Sequence, residues 1–120
     1  MTPTPTTPLP GGRVRGSTTG RPLMAALDLL GRRWTLRILW ELREGAVGAR
    51  ALRQRCDSMS SSVLYERLRE LRTAGLVARD ERGEYELTIL GRQLRDAIAP
   101  LQRWAERWST DLSSGPRLSA

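Results

Sequence analysis

The chain has 120 residues, with 20 arginines and no lysine set against 13 acids, for a formal net charge of +7. One cysteine and no histidine exclude an intrachain disulfide, a Cys/His zinc site and a histidine acid–base pair, so neither an enzyme nor a bound cofactor is expected. No apolar run approaches the roughly 20 residues of a membrane span and the N-terminus has no apolar signal region, which predicts a cytoplasmic protein.

The basic balance predicts a polyanionic partner, because arginine suits bidentate contact with phosphate or guanine. Absence of Lys, Asn and Phe also fits the codon bias of a GC-rich genome, so charge alone does not decide the function.

Residues 1–21 read as a disordered basic tail of Thr-Pro repeats and Gly-Gly followed by Arg13, Arg15 and Arg21. Its alternatives are a solvated tail and a basic arm entering a minor groove. Residues 22–112 form the one folded domain, and 113–120 a flexible C-terminal tail. Leu23 to Leu30 predicts a first helix ended by Gly31, and Trp34 to Glu44 a second. The second is apolar on two sides. Ile38, Leu39 and Leu42 face the core, while Leu36 and Trp40 point elsewhere, toward a partner subunit or a ligand pocket.

Gly45 to Gly48 leaves room for a very short strand, and Ala49 to about Cys56 predicts a third helix. Asp57-Ser58-Met59 is a tight connection to a fourth helix capped by Ser60, as a helix-turn-helix requires. Leu64, Leu68 and Leu71 give that helix its buried stripe, and Gly75 stops it. Leu76 to Arg79 and Glu84 to Leu87 then flank Arg82-Gly83 as a hairpin. Thr88 caps a last helix whose apolar stripe runs from Leu90 to Leu112 through Leu101, Trp104 and Trp108, with a kink expected at Pro100. The stripe exceeds what so small a domain needs, so its outer part is expected to pack against a second copy. The fold class is mainly α with a small β-hairpin: a winged helix-turn-helix dimerising through its terminal helices.

Opposite the leucine stripe, the fourth helix presents Ser62, Glu66 and Arg69, with Ser61 and Tyr65 at the borders. These types suit double-stranded DNA: arginine for guanine or phosphate, serine for phosphate, glutamate for a cytosine amine. The alternative is a solvated face whose acids pair with nearby arginines. Ser60, Arg50 and Arg53 are further candidates, the two arginines as phosphate contacts from the supporting helix. In the hairpin Asp80, Glu81, Glu84 and Glu86 oppose only Arg79 and Arg82, so backbone contact there rests mainly on Arg82. Arg67, beside the leucines, is expected to bind an acid or a carbonyl within the domain. Cys56 reads as core filler, with a redox sensor as the alternative.

In this order and spacing, Ala26-Leu27-Asp28-Leu29-Leu30-Gly31, Arg33-Trp34-Thr35-Leu36, Ile38-Leu39, Val63-Leu64, Arg67-Leu68-Arg69-Glu70-Leu71, Ala74-Gly75-Leu76-Val77, Tyr85, Leu87-Thr88, Leu90-Gly91-Arg92 and Trp104 resemble the HxlR-type family of bacterial winged-helix regulators. The resemblance implies a homodimer, with Leu23 and Leu27 joining Leu101, Trp104 and Trp108 in the interface. It also implies a palindromic operator, repression as the expected outcome, and a small-molecule effector as an option. Many members carry a reactive cysteine beside a proline just before the first helix. Here Arg21 precedes Pro22, so that sensor is lacking. The rival to a DNA-binding regulator is a winged helix serving only as a protein-interaction module, which the acidic hairpin favours.

Overall fold

The computed structural model describes residues 7–115. Five helices and one hairpin follow in the order α1 (Pro22–Leu30), α2 (Thr35–Glu41), α3 (Ala49–Arg55), α4 (Ser61–Thr73), β1 (Val77–Arg79), β2 (Tyr85–Leu87) and α5 (Ile89–Ser113). Pro22 occupies the first turn of α1, where its missing N–H costs nothing. The second helix is shorter than its sequence predicts at both ends. Trp34 takes a left-handed φ of 76° at its N-cap, and after Glu41 the chain closes through Leu42 and Arg43 in tight turns.

The connection between α3 and α4 is built from two consecutive left-handed residues, Asp57 at φ 57° and Ser58 at φ 55°. Asp tolerates that region better than most residues do. Cys56 and Met59 on either side are buried, so the turn is anchored by packing at both ends. Arg53 Nε donates to the Met59 carbonyl at 2.6 Å, Arg37 Nη2 to the Arg55 carbonyl at 2.6 Å, and the Ser60 hydroxyl accepts the Val63 N–H at 3.2 Å. These side-chain to backbone bonds brace the turn between the two helices.

The hairpin pairs Val77 with Leu87 and Arg79 with Tyr85. Its turn is organised by Asp80, whose carboxylate accepts the N–H groups of Arg82 and Glu84 at 2.9 Å each. The short strand expected near residues 45–48 is a single bridge, Val47 to Tyr85. Thr88 caps α5 through the Gly91 N–H and donates to the Gly75 carbonyl at 2.6 Å. A Cβ at Gly91 would stand 2.1 Å from the Leu76 carbonyl oxygen, so this close approach of α5 to the hairpin excludes any larger residue. Pro100 lies inside α5, which continues past it to Ser113.

One core joins these elements, with Leu29 of α1, Ile38 and Leu39 of α2, Leu52 of α3, Leu64, Leu68 and Leu71 of α4, and Val77, Tyr85 and Leu87 of the hairpin. No helix among the described residues is long and apolar enough to cross a membrane, and no group of His, Cys, Asp or Glu could hold a metal ion there.

Within the segment expected to be a disordered tail, residues 7–21 make defined contacts in the structure. Thr7 and Val14 are buried, Val14 and Ser17 exchange backbone bonds of 3.0 and 3.1 Å, and the Gly11 N–H reaches the Gly20 carbonyl at 2.9 Å. The Arg15 N–H is taken by Asp28 of α1 at 3.0 Å. A proline- and glycine-rich composition argues against helix, but it does not argue against a stack of turns that satisfies its own backbone. Residues 1–6 of that tail, and 116–120 of the C-terminal one, lie outside the described residues.

Candidate nucleic-acid interface

Ser61, Ser62, Tyr65 and Arg69 are exposed along one side of α4, with Glu66 half-buried among them. Arg69 Nη2 meets Glu66 Oε1 at 2.6 Å. That hydrogen bond holds the Glu66 carboxyl below the usual carboxylate range and raises the Arg69 guanidinium in turn. The two prospective base readers are therefore paired with each other in the unbound protein, and engagement of a base edge by Arg69 requires that exposed pair to reorganise. Exposed pairs of this kind hold each other weakly.

Arg69 also lines an open cleft of about 520 Å³ with Arg72 and Arg79, between the end of α4 and β1. Sequence reasoning missed Arg72 and gave Arg79 little weight. Their signal was the junction itself, since a hairpin that returns beside the end of α4 must carry its first strand past these side chains. Arg79 is otherwise held loosely, its Nε 3.3 Å from the Gly83 carbonyl. Arg82 is exposed in the turn.

On the supporting helix Arg50 is exposed, whereas Arg53 spends its Nε on the turn. Arg53 therefore has a structural duty beside any phosphate contact, and its removal loosens the approach to α4 as well. Arg67 lies as expected within the domain, donating from Nε to the Arg33 carbonyl at 2.8 Å and from Nη1 to Glu70 Oε1 at 2.6 Å. Arg32 Nη1 reaches the other oxygen of the same carboxylate at 2.5 Å. Glu70 itself is 1% exposed. A buried carboxylate shared by two guanidinium groups thus ties α4 to the α1–α2 turn. Pairing of Glu70 with a nearby arginine belonged to the alternative, solvated-face reading of α4; the spacing from Arg67 was the legible part, and the burial depends on the α1–α2 turn arriving there.

The residues predicted for dimerisation are uncovered. Leu23 and Leu27 are 69% and 53% exposed, and Leu101, Trp104, Trp108 and Leu112 are 50–64% exposed. Trp104 and Trp108 stack on each other at 5.5 Å with ring planes 16° apart, which holds a flat apolar platform on the outer half of α5. Leu36 and Trp40 line a groove of about 850 Å³ between α2 and α5, with Leu94, Ile98 and Leu101 on the far wall. Arg43 covers the Trp40 ring at 3.9 Å.

Cys56 is fully buried. Burial pushes its thiol above the ordinary range, and the nearby Arg37 charge opposes this without reversing it. Cys56→Ser is expected to cost about 1–3 kcal/mol in urea unfolding, the desolvation penalty of a hydroxyl without a built-in partner. DNA affinity should be unaffected by peroxide in both proteins, and peroxide-driven release that vanishes in the variant would show the thiol to be a sensor.

The HxlR-like helix-turn-helix family matches residues 29–113. The HTH-type transcriptional regulator YvaP of Bacillus subtilis is 34% identical over 89 residues, 69% of this chain and 82% of that one. Among solved structures, quinone-bound YodB from B. subtilis superimposes with a TM-score of 0.66 at 30% identity, covering 71% of this chain and 94% of YodB. The redox regulator HypR in its reduced form gives a TM-score of 0.65 at 28% identity, over 75% of this chain and 95% of HypR.

Proposed function

Because the chain belongs to the HxlR-like helix-turn-helix family and is a DNA-binding transcriptional regulator, not an enzyme, we propose that it acts in the cytoplasm as a homodimeric repressor on palindromic operators. The α4 helix of each protomer enters a major groove, with Arg69 reading a base edge and Ser60, Ser61, Ser62 and Tyr65 placed along the groove walls. Arg50 and Arg82 take flanking phosphates. Glu66 releases Arg69 and then accepts from a base or remains its orienting partner.

The observation that carries this reading is the disposition of two surfaces. The groove side of α4 is polar and exposed, while α1 and the outer half of α5 expose Leu23, Leu27, Trp104 and Trp108 with nothing covering them. The stacked Trp104 and Trp108 rings, with Leu101 and Leu112 exposed on the same helix, form an apolar platform of the kind a partner covers. A two-fold dimer closed on this surface would offer two symmetry-related α4 helices, as a palindrome requires.

The groove beside Leu36 and Trp40 favours an added feature, an apolar effector whose entry would alter how α5 lies on α2. Such an effector would modulate operator affinity through the dimer helix.

Arg69→Ala tests the reading. On the specific duplex the loss is expected to be about 1–3 kcal/mol, with relaxed preference at one base pair of each half-site. On a scrambled duplex at the same salt the loss should be small. Equal losses on both would reduce Arg69 to a backbone contact and move base reading toward Ser61, Ser62 and Tyr65.

A further inference from the structure

Ser62, Glu66, Arg69 and Thr73 follow one another at spacings of three or four residues and so share one side of α4, and Arg72, three residues beyond Arg69, carries that side to the end of the helix. The Arg72 side chain is exposed and makes no hydrogen bond or ion pair among the described residues. The chain then reverses through Gly75, at φ 78°, and Leu76 and Val77 are buried as β1 begins. Ala78 presents only a methyl group, and Arg79 is exposed.

The reversal leaves the open cleft of about 520 Å³ with Arg69, Arg72 and Thr73 on its helix wall and Val77, Ala78 and Arg79 on its strand wall. Three guanidinium groups line it and no acid does. Arg69 is paired with Glu66, Arg79 donates from Nε only to the Gly83 carbonyl at 3.3 Å, and Arg72 is unengaged. Glu86 stands across the hairpin from Ala78 without lining the cleft. The carbonyl end of α4 places roughly half a negative charge nearby, and the two full charges of Arg72 and Arg79 outweigh it. The cleft is therefore a seat for an anion the size of a phosphate group.

We propose that it holds a phosphodiester of the DNA strand bordering the groove that α4 enters, gripped by Arg72 and Arg79 with the Thr73 hydroxyl beside them. This rests on the reading that α4 enters the major groove. Two features select DNA as the source of the phosphate. Arg69 belongs both to the groove side of α4 and to the cleft wall, so a duplex that meets the one passes the mouth of the other. The hairpin tip is ill suited to hold backbone, since Asp80, Glu81 and Glu84 surround Arg82 there and the Asp80 carboxylate is committed to the turn. The grip moves instead to the base of the hairpin, where Arg79 faces Arg72.

The test compares the unaltered chain with Arg72→Ala/Arg79→Ala on operator and scrambled duplexes of one length, across a salt series, with thermal unfolding recorded for both proteins. Two clefts per dimer hold two phosphates, so the slope of log affinity against log salt should fall by about 2, at about 0.9 per phosphate, on both duplexes. Preference for the operator should be kept. Arg72→Lys/Arg79→Lys should restore most of the slope, because a phosphate contact needs the charge more than the planar fork. Ethylation interference should lose a phosphate in each half-site with the alanine variant, next to the base pair at which Arg69→Ala relaxes preference.

An unchanged slope overturns the inference. If the unfolding temperature falls at the same time, Arg72 serves only to complement the helix end. If millimolar inorganic phosphate raises the unfolding temperature of the unaltered chain but not of the variant while the slopes agree, the cleft belongs to a free anion, which overturns it equally. Arg72→Ala alone, with about half the effect on the slope, serves if the double variant unfolds. Failure of the α4 reading appears separately, as absence of any preference of the unaltered chain for operator over scrambled duplex.

Discussion

Trp104→Glu/Trp108→Glu yields a chain that keeps its helical content but sediments as a monomer, and its operator affinity falls by about 10²- to 10⁴-fold. The two rings stack as a platform on the outer half of α5, each about half exposed, and the core proper ends near Leu94. Charges there leave the winged helix intact because it does not use them. The size of the loss is set by avidity: once the second protomer is no longer tethered, its half-site must be found from bulk solution. Scrambled duplex should lose less, because each monomer keeps its own arginines. Sedimentation of the unaltered chain as a monomer at micromolar concentration would remove the dimer from the account.

Glu70→Ala is expected to lower stability by about 3 kcal/mol in urea unfolding, since removal of one member of a buried charged cluster strands the others. The groups that lose this carboxylate are the guanidinium groups of Arg32 and Arg67, with side chains 25% and 19% exposed. Their partial access to water keeps the figure at the lower end of the range. Against a total of about 5–15 kcal/mol for a small domain, that is a substantial share. Glu70→Gln, which retains an acceptor but not the charge, should fall in between. A change below about 0.5 kcal/mol for Glu70→Ala, typical of a solvated surface position, would show that the clamp contributes nothing.

The helical elements were legible because each carries both a period and a stop. Leu64, Leu68 and Leu71 with Gly75, and Ser60 and Thr88 as caps, leave little freedom in where α4 and α5 lie. The candidate base readers followed from the same arithmetic, as the face opposite the leucines. Burial of Glu70 did not follow, because it depends on a contact with Arg32 thirty-eight positions away, and no local pattern reports such a meeting. The early end of α2 was hidden for a related reason: Leu42 continues its apolar pattern, yet it is buried from a turn rather than from a helix. The contacts of the N-terminal segment were not legible because turn stacks have no periodicity. What holds it is a set of backbone bonds plus one apolar residue, Val14, and the glycine at position 20 whose Cβ would collide with the Gly12 carbonyl at 2.1 Å.

The central claim, a dimer laying two α4 helices into adjacent major grooves, is tested most directly by hydroxyl-radical protection of the DNA upstream of the chain's own gene and its neighbours. The account predicts two protected half-sites related by a two-fold axis, centred about one helical turn or a small multiple of it apart, roughly 34–36 Å per turn, with protection lost for Trp104→Glu/Trp108→Glu. A single asymmetric footprint, or none at salt concentrations where random DNA is bound equally well, would contradict it.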